Sequence, residues 1–302
     1  MPHLKISAEV SEALKSHQPV VGLESTIFSH LGLPSPANQE ALDRSIAAIR
    51  SQGAVPAITA ILDGVPCVGL EASEHERILG PAHKTAERDI AVAIAQKWPV
   101  GATTVSASLA LCAAAEINVF ATGGIGGVHL GSETSGDISG DLGAIALHPV
   151  LTVCAGAKAF LDIPKTVEFL ETAAVTVLAY QTDEFPMFYA RSSGVTAPNR
   201  ANDPGEVAAI LAQRIVWDQG GVLLAVPVPE ADAIPARDIS DAIDTALARA
   251  RNVSGAAVTP FVLEQIAKIT EGRSIPANLA LAENNASVAA QVAVELARLG
   301  TP

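Results

Sequence analysis

The sequence has few cysteines and few positively charged side chains. Its 302 residues include three cysteines, and 19 lysines and arginines stand against 32 aspartates and glutamates. Cys67, Cys112 and Cys154 lie in apolar stretches without CxxC spacing, which favours reduced, buried thiols over disulfides or a zinc site. No cluster of lysine and arginine interleaved with aromatic residues occurs, so general nucleic-acid binding can be set aside.

Long hydrophobic runs are also missing. No segment reaches the length of a membrane span, and the N-terminal stretch MPHLKISAEVSEALKSH has charges where a signal peptide needs its apolar part. We therefore expect a cytoplasmic protein that does not bind membranes. No repeat or clear linker divides the chain, which predicts a single domain over residues 1–302. Segment 191–206, rich in Pro, Ser and Gly, is the candidate for an exposed loop or a small lid-like subregion.

Strand-like and helix-like runs alternate along the chain. VVGL at 20–23 reads as a strand, and an apolar run that turns at Asp63 and Gly64 reads as a hairpin. The stretch GATTVSASLALCAAAEI at 101–117 reads as one small-residue helix. Strands separated by helices imply βαβ crossovers. The pattern predicts an α/β fold with a mixed, largely parallel central sheet and helices on both faces.

Glu24 stands at the end of the apolar run VVGLE and is followed by two hydroxyl residues. Ligand-handling groups collect at the carboxyl ends of strands in α/β sheets, so Glu24 is a candidate site residue. A strand-end acid that caps the next turn explains the position equally well.

A glycine-rich segment covers residues 121–142, ATGGIGGVHLGSETSGDISGDL. It is neither a dinucleotide fingerprint nor a Walker A loop, because His129 stands where the last glycine should be and no Gly-Lys-Ser/Thr follows. Its glycines and hydroxyls favour a backbone nest for an anion such as phosphate, although a merely flexible loop has a similar composition. Asp137 and Asp141 suit a divalent cation beside a phosphorylated substrate, but helix capping is the simpler explanation.

Lys158 lies in VLTVCAGAKAFLDI, where an apolar strand gives way to a turn and helix-forming spacing restarts at Ala159. Partial burial and nearby helix N-termini disfavour the ammonium form and leave a nucleophilic amine. A lysine that extends to the surface is the alternative. The small apolar neighbours favour the nucleophile.

The strings LESTIFSHLGLP, GATTVSASL, VFATGGIGGVH, DISGDL, TVCAGAKAFLD, YQT and NNA occur in this order over about residues 6–299. Together they resemble the pseudouridine-5′-phosphate glycosidase family, which is related to indigoidine synthase A. The resemblance implies a C-glycosidase that reversibly splits pseudouridine 5′-phosphate into uracil and ribose 5-phosphate, with Mn²⁺ or another divalent cation. It also implies a three-layer α/β/α fold and a homotrimer.

The same resemblance implies residue roles. Lys158 matches the covalent nucleophile, Glu24 the proton donor and Asp137 the metal ligand. The substrate-binding residues assigned on this basis are Lys84, Val105, Thr122, His129, Ser139, Gly140, Asp141 and Asn278. The chain departs from the family at Leu130, where a basic residue is usual, and it is less basic around Lys84. Asn278 belongs to an alanine-rich last helix whose other asparagines, Asn284 and Asn285, also need a polar neighbour.

Two other function classes stay open at this point. A lysine-imine aldolase acting on another sugar phosphate would use Lys158, but Glu24 together with Asn278 favours cleavage of a base. A non-catalytic phosphosugar-binding protein would keep the glycine-rich segment and have no need for Lys158. The base-cleaving reaction itself needs more than two carboxylates, because uracil bonded through carbon leaves only when a ring carbon is protonated. A lysine adduct of the ring-opened sugar offers that route.

Overall fold

The computed structural model describes residues 4–250, 253 and 258–300. Eleven strands in this part of the chain belong to one mixed sheet. In chain order they are β1 Lys5–Ile6, β2 Val20–Leu23, β3 Val55–Leu62, β4 Val65–Val68, β5 His83–Thr85, β6 Val100–Thr103, β7 Val119–Ala121, β8 Leu151–Cys154, β9 Thr176–Tyr180, β10 Asn199–Ala201 and β11 Val222–Ala225.

The centre of the sheet is parallel and runs in the order β3, β2, β7, β8, β11, β9, β10. Strands β4 and β6 each pair with β3 in the antiparallel sense. Parallel pairs β1 with β4 and β5 with β6 complete the sheet. The prediction of a mixed, largely parallel sheet is confirmed.

Helices cover both faces of the sheet. They are α1 Ala8–Lys15, α2 Ala37–Ser51, α3 His75–Leu79, α4 Ile90–Ala95, α5 Val105–Ala114, α6 Ser132–Ser135, α7 Gly140–Leu147, α8 Ile163–Thr172, α9 Pro204–Val216, α10 Ala236–Arg249, α11 Val258–Ile269 and α12 Ser274–Leu299.

Two apolar clusters divide the core, one on each side of the sheet. Successive side chains of a strand point to opposite faces, and in β11 Val222 and Leu224 belong to one cluster while Leu223 belongs to the other. Helices α2, α9 and α12 pack together on the first side, and α5 and α7 pack together on the second. This is the three-layer α/β/α arrangement that the resemblance implies.

The hairpin between β3 and β4 turns at Asp63 and Gly64, as predicted. Both residues have positive φ, 53° and 76°, which is the backbone of a two-residue type I′ turn. Burial raises the pKa of the thiols of Cys112 and Cys154 to about 12, and all three cysteines are free and buried. The expectation of reduced, buried thiols agrees with these positions.

The predictions for residues 101–117 and 191–206 are wrong. Residues 101–117 are not one helix, because strand pairing of β6 with β3 and β5 overrides the helix propensity of its small residues before α5 begins. Segment 191–206 is not one long loop either, because it contains β10, which pairs with β9, and the first turn of α9. No helix in the described ranges is long and apolar enough to span a membrane.

Candidate active site

Most residues assigned from the sequence meet at the carboxyl ends of the central strands. Strands β2, β7 and β8 are parallel neighbours, so the residues that follow them lie at one edge of the sheet. A cavity of about 290 Å³ opens at this edge. Its lining includes Glu24, Lys84, Val105, His129, Asp137, Ser139, Gly140, Asp141, Lys158 and Asn278.

Glu24 follows β2 and is a buried carboxyl group, with 7% of its surface exposed. Burial raises the pKa of Glu24 to about 7, although the charge of Lys158 and a hydrogen bond from Thr122 act in the opposite direction. The Thr122 hydroxyl donates that bond to Oε1 of Glu24. Near neutral pH a large share of Glu24 is therefore protonated, as a general acid requires.

Lys158 is half-buried on the turn after β8. The turn needs glycine at position 156, where φ is 85° and an added Cβ would lie 2.2 Å from the carbonyl oxygen of Pro186. The Lys158 N–H donates to the carbonyl of Ile125 at 3.0 Å, which ties the turn to the glycine-rich segment. The carbonyl of Lys158 accepts the N–H of Leu161 at 3.0 Å, so the backbone is fixed on both sides of Lys158, and its side chain lines the cavity.

The helix after Lys158 begins later than its spacing predicts. It starts at Ile163 instead of Ala159, because Asp162 caps it by accepting the N–H of Lys165 at 3.1 Å. Lys158 therefore lies in an irregular turn and not in the first turn of a helix.

Asp141 lies in the first turn of α7, which Ser139 caps. Its carboxylate is buried and accepts two backbone hydrogen bonds, from Ser106 at 3.1 Å on Oδ1 and from Gly126 at 2.9 Å on Oδ2. These bonds join the beginning of α5, where Val105 lines the cavity, to the glycine-rich segment. The expectation that Asp137 or Asp141 caps a helix is wrong, because Ser139 caps α7 and the Asp141 carboxylate instead links two elements of the cavity wall.

Asp137 is exposed at the cavity edge, and 3.9 Å separates its Oδ2 from Nδ1 of His129. Burial lowers the pKa of the His129 imidazole, which favours its neutral form. Within residues 4–250, 253 and 258–300, no three His, Cys, Asp or Glu side chains are arranged to hold a metal ion. A hard cation that keeps most of its water needs only one or two carboxylates, so Asp137 fits such an ion but not an all-protein metal site.

Lys84, in β5, is a second lysine in the cavity lining. Burial, and then the neighbouring charge of Lys158, lower its pKa, while Asp141 and Glu24 act in the opposite direction. Two lysines facing one cavity suit an anionic ligand.

Helix α12 supplies two buried asparagines. Asn278 lines the cavity, and its Oδ1 has no hydrogen-bond partner among the described residues. Asn285 donates from Nδ2 to the carbonyls of Thr122 at 2.8 Å and Gly123 at 3.2 Å. The expectation that the asparagines need polar neighbours therefore holds for Asn285. Its contact with Thr122 was not anticipated, and its only sequence signal was an amide in an alanine-rich helix.

A buried hydroxyl cluster behind the site was missed at the sequence level. Thr59 Oγ1 and Thr103 Oγ1 are 2.8 Å apart, and Ser25 Oγ lies 3.1 Å from Thr103 Oγ1. The cluster fixes the end of β2, which carries Glu24, against β3 and β6. Threonine is common in strands, so the sequence carried no distinctive signal for the cluster.

Comparison with known proteins gives the family. A profile described as Indigoidine synthase A like protein matches residues 9–295. The chain is similar to the pseudouridine-5′-phosphate glycosidase of Sorangium cellulosum, with 48% identity over 99% of this chain and 95% of the relative. It is also similar to the protein of that name from Arabidopsis thaliana, with 46% identity over 98% and 91%.

Two solved structures share the fold. The prealnumycin C-glycosynthase AlnA in complex with ribulose 5-phosphate has a TM-score of 0.89 and 34% identity over 98% of this chain and 97% of that one. An indigoidine synthase A-like protein from Thermotoga maritima has a TM-score of 0.88 and 34% identity, with the same coverage. The sequence relatives, the profile and these structures agree, and the chain belongs to the indigoidine synthase A-like family.

Proposed function

We propose that the protein reversibly cleaves the C1′–C5 bond of pseudouridine 5′-phosphate to give uracil and ribose 5-phosphate. The observation that carries the proposal is one cavity shared by the amine of Lys158 and a carboxyl group, Glu24, whose pKa of about 7 lets it give and take protons. Relatives of 46–48% identity named pseudouridine-5′-phosphate glycosidase support it. The name of AlnA, a C-glycosynthase with ribulose 5-phosphate bound, supports C-glycoside chemistry on a pentose phosphate.

The first step opens the ribose ring. Glu24 gives its proton to O4′ as the C1′–O4′ bond breaks, and the lone pair of the Lys158 amine forms a bond from Nζ to C1′. The new secondary ammonium then returns a proton to the Glu24 carboxylate. The sugar is now an open chain held on Lys158, and Glu24 is again an acid.

The second step releases uracil. Glu24 protonates C5, and the electron pair of the C1′–C5 bond stays with the uracil ring as it leaves. The nitrogen lone pair of Lys158 completes a C=N bond to C1′. Water then adds to C1′, the C–N bond breaks, and ribose 5-phosphate leaves as the free amine and the protonated Glu24 are restored. Protons and electrons balance without a redox partner.

Substrate orientation follows from the chemistry of the cavity wall. The unpartnered Oδ1 of Asn278 suits an N–H of uracil. The 5′-phosphate suits the beginning of α7, at Ser139 and Gly140, with Lys84 and His129 nearby in the lining. A divalent cation such as Mn²⁺, held by Asp137 and otherwise by water, would supply positive charge beside the phosphate and sugar oxygens.

The proposal extends to the assembly and location of the chain. We propose that the chain folds as a single domain, assembles as a homotrimer and acts in the cytoplasm. Sedimentation equilibrium would measure the mass in solution, and a mass other than three chains would contradict the homotrimer.

Loss of the pseudouridine chromophore, together with chromatography of released uracil, tests the function. We expect the parent protein to release one uracil for each ribose 5-phosphate, and to form pseudouridine 5′-phosphate when both products are supplied. Binding without uracil release would indicate a phosphosugar-binding protein. Carbon–carbon cleavage of sugar phosphates, without action on pseudouridine 5′-phosphate, would indicate the aldolase.

A further inference from the structure

Behind the cavity, two buried side chains connect Glu24 to helix α12. Thr122 follows β7, is 4% exposed and donates from its hydroxyl to Oε1 of Glu24. Asn285 is fully buried and donates to the carbonyls of Thr122 and Gly123. Asn285 thus holds the peptide that carries the hydroxyl, and the hydroxyl holds one carboxyl oxygen. Thr122 is not among the residues that line the main cavity.

We infer that Thr122 and Asn285 are positioning residues that keep the acidic proton of Glu24 on Oε2, the oxygen left for the substrate. The inference rests on the proposed function, in which Glu24 is the proton donor. Neither residue touches the reacting atoms; both act through the carboxyl group.

In the hydrogen bond between Thr122 and Glu24, the Thr122 hydroxyl is the donor and Oε1 of Glu24 is the acceptor. A carboxylic acid has one O–H and one carbonyl oxygen, and Oε1 accepts the bond from Thr122. In the reverse arrangement Oε1–H would donate to Thr122, whose own proton would then need another acceptor. The described residues give the Thr122 hydroxyl no acceptor other than Glu24. A buried hydroxyl proton without an acceptor costs about 1–3 kcal/mol, so the proton belongs on Oε2.

Asn285 holds Thr122 in place through its backbone. The carbonyls of Thr122 and Gly123 are at the sheet edge directly behind the site, and both accept from the Asn285 amide. The Gly123 carbonyl also accepts the N–H of Ala155 at 2.9 Å, so the Thr122 carbonyl is the group that depends on Asn285. Without the amide the Thr122 carbonyl would reorient to find a donor, and the Thr122 hydroxyl would move with it. A misplacement of about 1 Å at a catalytic group can cost about a hundredfold in rate.

The charges around Glu24 allow the effect of Thr122 to be isolated. Lys158, Lys84 and Asp141 all act on Glu24, and a change at Thr122 leaves them in place. The Thr122 bond stabilises the carboxylate form and lowers the pKa, against the larger effect of burial. Because the donor must be protonated, activity falls as pH rises through this pKa. This fall in activity at high pH is the alkaline limb of the pH–rate profile. Loss of the bond raises the pKa of Glu24 and therefore moves the alkaline limb to higher pH.

Rates of uracil release against pH for the parent, Thr122→Val, Thr122→Ser and Thr152→Val test the inference. Thr152 is the matched control, because it is equally buried and its hydroxyl has no partner in the described structure. For Thr122→Val we expect kcat to fall about tenfold or more, KM to stay near the parent value and the alkaline limb to move to higher pH. Thr122→Ser keeps a hydroxyl, so its kcat and the pH of its alkaline limb should be close to the parent values. Thr152→Val should match the parent.

The outcomes separate the two proposals. If the parent is active and Thr122→Val has the same kcat and the same alkaline limb, the inference is overturned but the proposed function is not. An increase in KM without a shift of the limb also overturns it, because Thr122 would then bind substrate. A parent that releases no uracil overturns the proposed function, and the inference with it.

Asn285→Ala provides a second measurement, with Asn284→Ala as its control on the half-buried neighbouring position. We expect Asn285→Ala to lower kcat and to shift the limb in the same direction as Thr122→Val, while Asn284→Ala leaves both unchanged. A parent-like Asn285→Ala removes Asn285 from the inference. If Asn285→Ala does not fold, the Thr122 variants decide the inference by themselves.

Discussion

The carboxylate of Asp141 accepts the backbone N–H of Gly126 at 2.9 Å, and this bond joins the first turn of α7 to the glycine-rich segment. The other oxygen accepts the N–H of Ser106 at 3.1 Å. Both oxygens are therefore bonded to backbone groups, and Asp141 fixes the distance between two walls of the cavity. Asp137, four positions earlier, is exposed instead. Two aspartates that look equivalent in the sequence have different environments.

Asp141→Asn should weaken substrate binding and destabilise the protein. An amide can accept from one of the two N–H groups but presents a donor to the other, which leaves a buried N–H unsatisfied at a cost of about 1–3 kcal/mol. We expect a raised KM and a lower Tm, measured by kinetics and thermal unfolding. Asp244→Asn, exposed on α10, should match the parent. Parent-like stability and KM in Asp141→Asn would contradict this assignment.

Asp137→Asn should lose metal dependence. The amide has no negative charge for a hard cation, and no cluster of acids or histidines in the described residues could replace it. Titration of the protein with Mn²⁺, followed by calorimetry, should give weaker binding in Asp137→Asn and parent-like binding in Asp141→Asn. Equal Mn²⁺ affinity in Asp137→Asn and the parent would remove Asp137 as the ligand.

Gly126→Ala should disrupt the link between the glycine-rich segment and α7, because Gly126 donates to Asp141. A Cβ at this position would lie 2.2 Å from Oγ of Ser139 and 2.9 Å from Oδ2 of Asp141, so the segment must shift and the bond to Asp141 breaks. We expect a large loss of activity and a lower Tm. Gly143→Ala is the matched control, because its Cβ meets nothing within 4 Å in α7 and alanine stabilises a helix by about 0.5–1 kcal/mol. Parent-like activity in Gly126→Ala would contradict the close contact.

The sequence predicted the centre of the sheet because buried parallel strands are continuous apolar runs with turn residues after them. It therefore also predicted where Glu24 and Lys158 lie, since the carboxyl ends of such strands share one edge. It did not predict β6, because β6 pairs with β3, whose residues are about 40 positions away in the sequence. The bond from Asn285 to Thr122 was unpredictable for the same reason: the two residues are 163 positions apart, and the amide of Asn285 in an alanine-rich helix signals a polar neighbour without identifying it.

Glu24→Gln should keep the fold and the substrate affinity but reduce kcat by about two to four powers of ten, because glutamine has no proton to give. Its carbonyl oxygen can still accept the hydrogen bond from Thr122. Rates of uracil release across pH 5–9, with pseudouridine 5′-phosphate binding measured separately, check this result. A variant with near-parent turnover would assign the acid to another residue.

The same variant tests the burial of the carboxyl group. Below pH 4.5 Glu24 is protonated in both folded and unfolded chains, but as pH rises towards 7 only the unfolded chain ionises, because burial raises the folded pKa from 4.5 to about 7. Stability from this group is therefore lost as pH rises through that window. Glu24→Gln should be more stable than the parent by on the order of 3 kcal/mol above pH 7, and equally stable below pH 4.5. Urea unfolding at both pH values measures the difference.

Lys158→Ala and Lys158→Arg should both be inactive while they still bind pseudouridine 5′-phosphate. Arginine keeps the positive charge beside Glu24 but stays protonated at any working pH, so it has no lone pair to attack C1′. Alanine removes both charge and nucleophile. Calorimetric titration with pseudouridine 5′-phosphate should give binding in both variants, and the uracil assay should give no turnover.

The decisive measurement traps the covalent intermediate on Lys158. Borohydride added to the parent during turnover reduces the C=N bond, and peptide mass spectrometry should then find a ribose phosphate mass on the peptide that contains Lys158. Lys158→Arg treated in the same way is the control and should remain unmodified. A lysine that served only as a charge would predict the opposite pair of results, substantial turnover in Lys158→Arg and no adduct in the parent, and the covalent mechanism would then have to be abandoned for this protein.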